Sequence, residues 1–150
     1  MKGTLAAVLL TALTLFSQTM EAKIITRTVD YQDGDLTLQG YLAYDDAVTG
    51  KRPGILIVHQ WMGLTDYEQM RAQMLAKMGY VAFAADMYGK DVRPKSAEEA
   101  SAQAGKLYSD VPMLRRRVTA GLNQLKSYDM VDSKHIAAIG YCFGGKCVLE

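Results

Sequence analysis

The chain has 150 residues, 49% of them hydrophobic and 22% charged, with a formal net charge of +1. This is the size and composition of one ordinary globular domain. The near-neutral balance gives no electrostatic basis for nucleic acid or an anionic membrane as partner, and the run Arg115-Arg116-Arg117 is expected to be a solvated helix face.

Residues 1–22 differ from the rest. Lys2 precedes an uncharged, mostly apolar stretch from Thr4 to Phe16, followed by Ser17-Gln18-Thr19 and a small residue at Ala22. The pattern is that of a secretory signal peptide, although Met20 stands where a small residue is preferred. The apolar stretch is shorter than the ~20 residues of a spanning helix; the alternative is an uncleaved anchor. Residues 23–150 are then a single exported domain, periplasmic or secreted from a bacterium, with no membrane contact once the leader is removed. Two cysteines in an oxidising compartment can pair. Cys147, however, falls within a helix that starts at Cys142, and the rise along that helix carries the two apart. Two free thiols are expected.

Lys23–Tyr31 and Leu36–Tyr44 alternate apolar and polar residues around Gln32-Asp33-Gly34-Asp35, a β-hairpin signature. Asp45–Pro53 reads as a loop and Gly54–His59 as a strand buried on both faces. Thr65 and Glu68 form a capping box for a helix that Gly79 ends, with Met70, Met74, Leu75 and Met78 as its core-facing stripe. Val81–Asp86 is the next buried strand, and Asp91–Lys95 a loop. Ser96 and Glu99 cap a helix to about Tyr108. Asp110 and Pro112 open another to about Tyr128, with the stripe Leu114, Val118, Leu122 and Leu125. After a turn at Val131–Lys134, Ile136–Tyr141 is a third buried strand. The repeated strand–helix order predicts an α/β fold whose sheet is mostly parallel, with helices on both faces.

That third strand runs into Gly140-Tyr141-Cys142-Phe143-Gly144-Gly145, which has the form Gly-x-nucleophile-x-Gly between strand and helix. Such a sharp turn holds its central residue in strained backbone angles while glycines keep side chains clear. The helix start favours a thiolate over a thiol, so Cys142 is the candidate nucleophile. The backbone N–H of Phe143 is placed for an oxyanion hole. His59-Gln60-Trp61-Met62-Gly63 follows the first buried strand, and Trp61 is the candidate for the second oxyanion N–H. No His/Cys/carboxylate group has metal-ligand spacing, and no cofactor is implied.

With Ala85-Asp86-Met87-Tyr88-Gly89 between them, these motifs are similar in order and spacing to the dienelactone hydrolase family, from about Thr26 to Glu150. The resemblance implies an α/β-hydrolase fold and a Cys–His–Asp triad acting on carboxylic esters or lactones. Cys142 matches the nucleophile, and Trp61 and Phe143 the oxyanion hole. Lys90 falls where well-known members carry an arginine for the substrate carboxylate, and serves at most as a point charge. Gln60 stands beside the nucleophile where those members have a glutamate, and an amide takes no proton at neutral pH.

The triad histidine and aspartate should follow the nucleophile, yet neither occurs after Cys142. His135 starts the strand that Cys142 ends, roughly 20 Å away, and is excluded as base; His59 ends a neighbouring strand and is a weak substitute. The expectation is therefore an α/β-hydrolase domain lacking its C-terminal part, with an exposed strand edge, inactive on its own towards a small ester or lactone. Two alternatives stand beside it: a periplasmic thiol redox protein, and a non-catalytic hydrolase-fold fragment. Oligomeric state is not readable from the sequence.

Overall fold

The computed structural model describes residues 23–150; the expected leader lies outside the described residues. Strands β1 (Ile24–Asp33) and β2 (Leu36–Asp45) form the expected hairpin, paired from Ile24↔Asp45 to Asp33↔Leu36. The turn passes through Gly34 at φ +59°, a left-handed conformation that glycine adopts without strain. In chain order follow β3 (Arg52–Val58), α1 (Asp66–Lys77), β4 (Val81–Ala85), α2 (Ala97–Ser109), α3 (Val111–Lys126), β5 (Val131–Gly140) and α4 (Phe143–Leu149).

The five strands form one mixed sheet in the order β1-β2-β4-β3-β5. β3 runs parallel to β4 and β5, while the hairpin joins through an antiparallel β2–β4 pairing. Alternation along β4 divides the core. Phe83 and Ala85 pack with Leu38, Leu56, Leu114 and Leu125 on one face; Ala82 and Ala84 pack with Ile55, Ile57, Ala72 and Ala76 on the other. Helices therefore cover both faces, α3 on the first and α1 on the second, as the strand–helix order predicts.

Several local expectations need correction. β3 begins at Arg52, inside the expected loop, because the Arg52 guanidinium is buried and donates to the Asp45 carbonyl. The expected turn at residues 131–134 is part of β5, which pairs with Arg52 and Pro53 before a register shift at Pro53/Gly54. β5 is not buried on both faces: it is the edge of the described sheet and its residues are largely exposed. Ser96 Oγ accepts from the Glu99 N–H, but Glu99 reaches back to the Lys95 N–H rather than closing the box on Ser96.

Of the stripe expected on α1, Leu75 packs against the core but the three methionines face outward. Met70, Met74 and Met78 are 47%, 46% and 70% exposed, whereas Glu68, Ala72 and Ala76 are fully buried. Both sets recur every four residues, offset by two positions, or about 200° around the helix. The sheet face beneath α1 is built from Ala43, Ala82 and Ala84, so the helix settles on its own alanines and turns the long thioethers out. Arg117 also departs from expectation. Arg115 and Arg116 are exposed, but Arg117 is half-buried, pairs with Asp33 at 3.1 Å and donates to the carbonyls of Met87 and Tyr88. It ties the loop after β4 to the hairpin.

Candidate active site

Parallel pairing of β5 with β3 sets Gly140 beside Val58, so the residues after both strands emerge at one end of the sheet. Cys142 sits at that end with φ 53° and ψ −111°, the only non-glycine residue with positive φ among the described residues. This is the backbone a nucleophile elbow requires, and it is uncommon enough in an L-residue to need support from its surroundings. Two glycines supply it. A Cβ on Gly140 would lie 2.1 Å from the Gly144 carbonyl oxygen, and one on Gly144 would lie 2.2 Å from the Val58 oxygen. Only glycine lets α4 descend so closely onto the strand ends.

The Cys142 side chain is exposed and that of Cys147 buried; both thiols are free. Burial pushes the Cys147 thiol up to about 12, which leaves it protonated and inert. Beneath the elbow, the fully buried Phe143 ring stacks on His59 at 5.7 Å and meets Tyr88 and Tyr108 at 5.6 and 5.4 Å. The Tyr88 hydroxyl donates to the Trp61 carbonyl at 2.7 Å, fixing the loop after β3 relative to Phe143. Among the described residues, neither the Trp61 nor the Phe143 backbone N–H has an acceptor. A cavity of about 200 Å³ lies at the thiol, lined by Trp61, Ser101, Ala104, Gly105, Tyr108 and Cys142.

The structure thus brings Cys142, Trp61 and Phe143 to one place and leaves two expected residues out. Gln60 is in the loop but does not line the cavity; its Oε1 accepts from the Met62 N–H at 2.9 Å, so its amide shapes the turn. Lys90 is not at the cavity. Its ammonium pairs with Asp30 on β1, at the opposite edge of the sheet.

Neither histidine reaches the thiol. His59 is fully buried; its Nδ1 faces the Gln60 carbonyl and its Nε2 accepts from the Met87 N–H at 3.1 Å. That tautomer occupies both ring nitrogens, and burial lowers its pKa, the hydrogen bond to the Gln60 carbonyl opposing in part. It is a structural histidine. His135 sits 2.7 Å from Asp132 at the start of β5, the far end from Cys142.

Some supporting residues went unnoticed in the sequence. Glu68 does more than cap α1: it is fully buried and accepts from the Thr65 N–H and hydroxyl and from the Gln60 N–H. Its carboxylate clamps both ends of the Trp61 loop. Asp86, 1% exposed, accepts from the N–H groups of Tyr88, Gly89 and Gln39 and pairs with Arg93 at 3.3 Å. An aspartate at a strand end with glycine three residues on was the available signal for this turn. Nothing in the sequence marked the α2 face as a cavity wall.

The family model for the dienelactone hydrolase family matches residues 38–150. A Yersinia pestis protein named "Putative carboxymethylenebutenolidase" is 29% identical over 112 residues, covering 73% of this chain and 41% of that one. The solved structure of m3DLH superposes with a TM-score of 0.81 at 34% identity, covering 84% of this chain and 52% of that chain. The dienelactone hydrolase-like promiscuous phosphotriesterase P91 from metagenomic libraries superposes at 0.80 with 38% identity and the same coverage. The chain spans about half the length of the curated relatives it matches, 41% and 51% for the first two.

Proposed function

The chain belongs to the dienelactone hydrolase family, and on that premise we propose that it carries the nucleophilic half of a cysteine hydrolase for small carboxylic esters or lactones. The observation that carries this reading is the strained, exposed Cys142 held between a parallel strand and a helix start, with two unpaired backbone N–H groups in its neighbourhood. The Cys142 thiolate attacks the ester carbonyl carbon. The oxyanion takes hydrogen bonds from the Trp61 and Phe143 N–H groups. As the intermediate collapses, the carbon–oxygen bond to the alcohol breaks, the alkoxide leaves, and a thioester remains on Cys142. Hydrolysing that thioester needs an activated water, and no base among the described residues reaches it. The described residues therefore support acylation and not turnover. We further propose that residues 1–22 direct export to the periplasm or beyond, and that Lys90, held by Asp30, takes no part in binding substrate.

The test is p-nitrophenyl acetate with the purified chain. Release of about one equivalent of p-nitrophenol, with an acetyl group on Cys142 by mass spectrometry, is the expected result. Release that continues at a steady rate in Cys142→Ala, or the absence of any adduct on Cys142, overturns the reading.

A further inference from the structure

The cavity at Cys142 has a definite chemistry. Its floor is one face of α2, where Ser101, Ala104, Gly105 and Tyr108 fall three and four residues apart. The adjoining face of α2 is buried through Ala100, Ala104 and Leu107, so this wall is held by the core. Trp61 and Tyr108 stand at the rim, 37% and 43% exposed, and Tyr108 is braced edge-on against Phe143. Gly105 leaves the floor open, since a Cβ there would have no heavy atom within 4 Å. None of the lining residues is charged.

The cations on neighbouring turns have partners of their own: Lys146 pairs with Glu150, Lys106 donates to the Gln103 amide, and Arg71 donates to the Tyr141 hydroxyl. A carboxylate entering the cavity would lose water and meet no charged lining residue, whereas a flat apolar group would lie between two aromatic edges on a floor of small residues.

We propose that this α2 wall is the subsite for the uncharged part of the substrate, an aryl or short alkyl group of a neutral ester, and that Gly105 sets its depth. The proposal rests on Cys142 being the reactive thiol and goes further, since it excludes substrates that present a carboxylate to this wall. At about 200 Å³, the cavity is smaller than a drug-sized pocket and suits one ring or a short chain.

Alkylation of Cys142 tests it on the chain as it stands, with no need for turnover. Iodoacetamide, iodoacetate and 2-iodo-N-phenylacetamide each form a sulfur–carbon bond as the carbon–iodine bond breaks; iodide leaves and the thiol proton passes to buffer. Rates at Cys142, read by mass spectrometry, are divided by those of glutathione to remove intrinsic reactivity. The phenyl reagent is expected to exceed iodoacetamide by about tenfold, and iodoacetate to fall below it by about tenfold. In Gly105→Leu, which fills the floor and raises helix propensity, the phenyl-to-parent ratio is expected to collapse towards one. The proposal is overturned if iodoacetate keeps pace with iodoacetamide, or if the phenyl advantage survives Gly105→Leu in a variant whose thermal midpoint shows it folded. Should Cys142 react with every reagent no faster than it does in the urea-unfolded chain, the thiol reading fails first and takes the subsite with it.

Discussion

Gly144 and Gly145 are adjacent, share one glycine-rich motif, and are expected to respond in opposite ways to alanine. A Cβ on Gly144 would lie 2.2 Å from the Val58 oxygen and 2.6 Å from the His59 oxygen, both well inside ordinary contact. Val58 belongs to β3, held by β4 on one side and β5 on the other, so it cannot yield without disturbing both ladders. Overpacking of this kind costs about 1–3 kcal/mol when side chains can adjust, and backbone obstacles put this site at about 3 kcal/mol. With a urea m-value of about 2 kcal/mol/M, the unfolding midpoint of Gly144→Ala should fall by about 1.5 M. The nearest atom to a Cβ on Gly145 is 3.5 Å away, and the residue lies inside α4. Gly145→Ala should be neutral or gain up to about 1 kcal/mol from helix propensity. Acylation of Cys142 should weaken in the first variant and persist in the second, because only the first lifts α4 from the strand ends. Equal midpoints for the two variants, or a Gly144→Ala midpoint matching the parent, would refute the close-approach argument.

Glu68→Gln replaces one acceptor of a buried clamp with a donor facing N–H groups, and should cost about 1–3 kcal/mol in urea unfolding while slowing acylation of Cys142; an unchanged midpoint argues against the clamp. His59 is buried with its pKa lowered by burial, so the folded chain resists the proton that the unfolded chain accepts near pH 6.5. Stability should be full above that pH and decline as pH falls below it towards the lower folded value, by up to about 1.4 kcal/mol per pH unit. A urea midpoint that stays flat from pH 8 to 5 would contradict this. Met74→Ala on the exposed face of α1 should shift stability by no more than about 0.5 kcal/mol, and a loss of 2 kcal/mol or more, of the size seen on emptying a core site, would return the methionine to the core.

The fold was legible wherever one periodicity had one physical cause. The hairpin, the buried β3 and β4, and the turn into Cys142 each combine a hydrophobic pattern with a glycine or capping residue whose backbone role is specific. The reading failed where a pattern had two solutions. On α1 the alanine and methionine faces have the same period, and the choice rests on the small residues of the sheet beneath, which lie far away in sequence. Arg117 looks like its neighbours until the fold brings Asp33 and two carbonyls to it. At the site, the placing of Cys142, Trp61 and Phe143 at one end of the sheet was readable because each lies two or three residues past the end of a parallel strand. Lys90 misled because its position in a motif says nothing about Asp30, sixty residues away on another strand. The α2 wall is a tertiary arrangement with no local signature.

The arrangement also accounts for which parts of a hydrolase these residues can assemble. A positive φ at Cys142 persists only if the structure around it over-determines the turn. That constraint comes from contacts among β3, β5 and α4 and from the stack of Phe143 on His59, all of which are present here. The oxyanion donors follow from the same contacts, because the Trp61 loop is anchored by Tyr88 and Glu68. A general base has no such local origin. It must be delivered to the thiol by another strand-end loop, and among the described residues both histidines are committed elsewhere, one to the core and one to the far end of β5. On the proposed reading, nucleophile and oxyanion hole form one unit with the sheet, whereas a base would be a separate addition. That separation is why the proposed chemistry, taken over the described residues, stops at acylation.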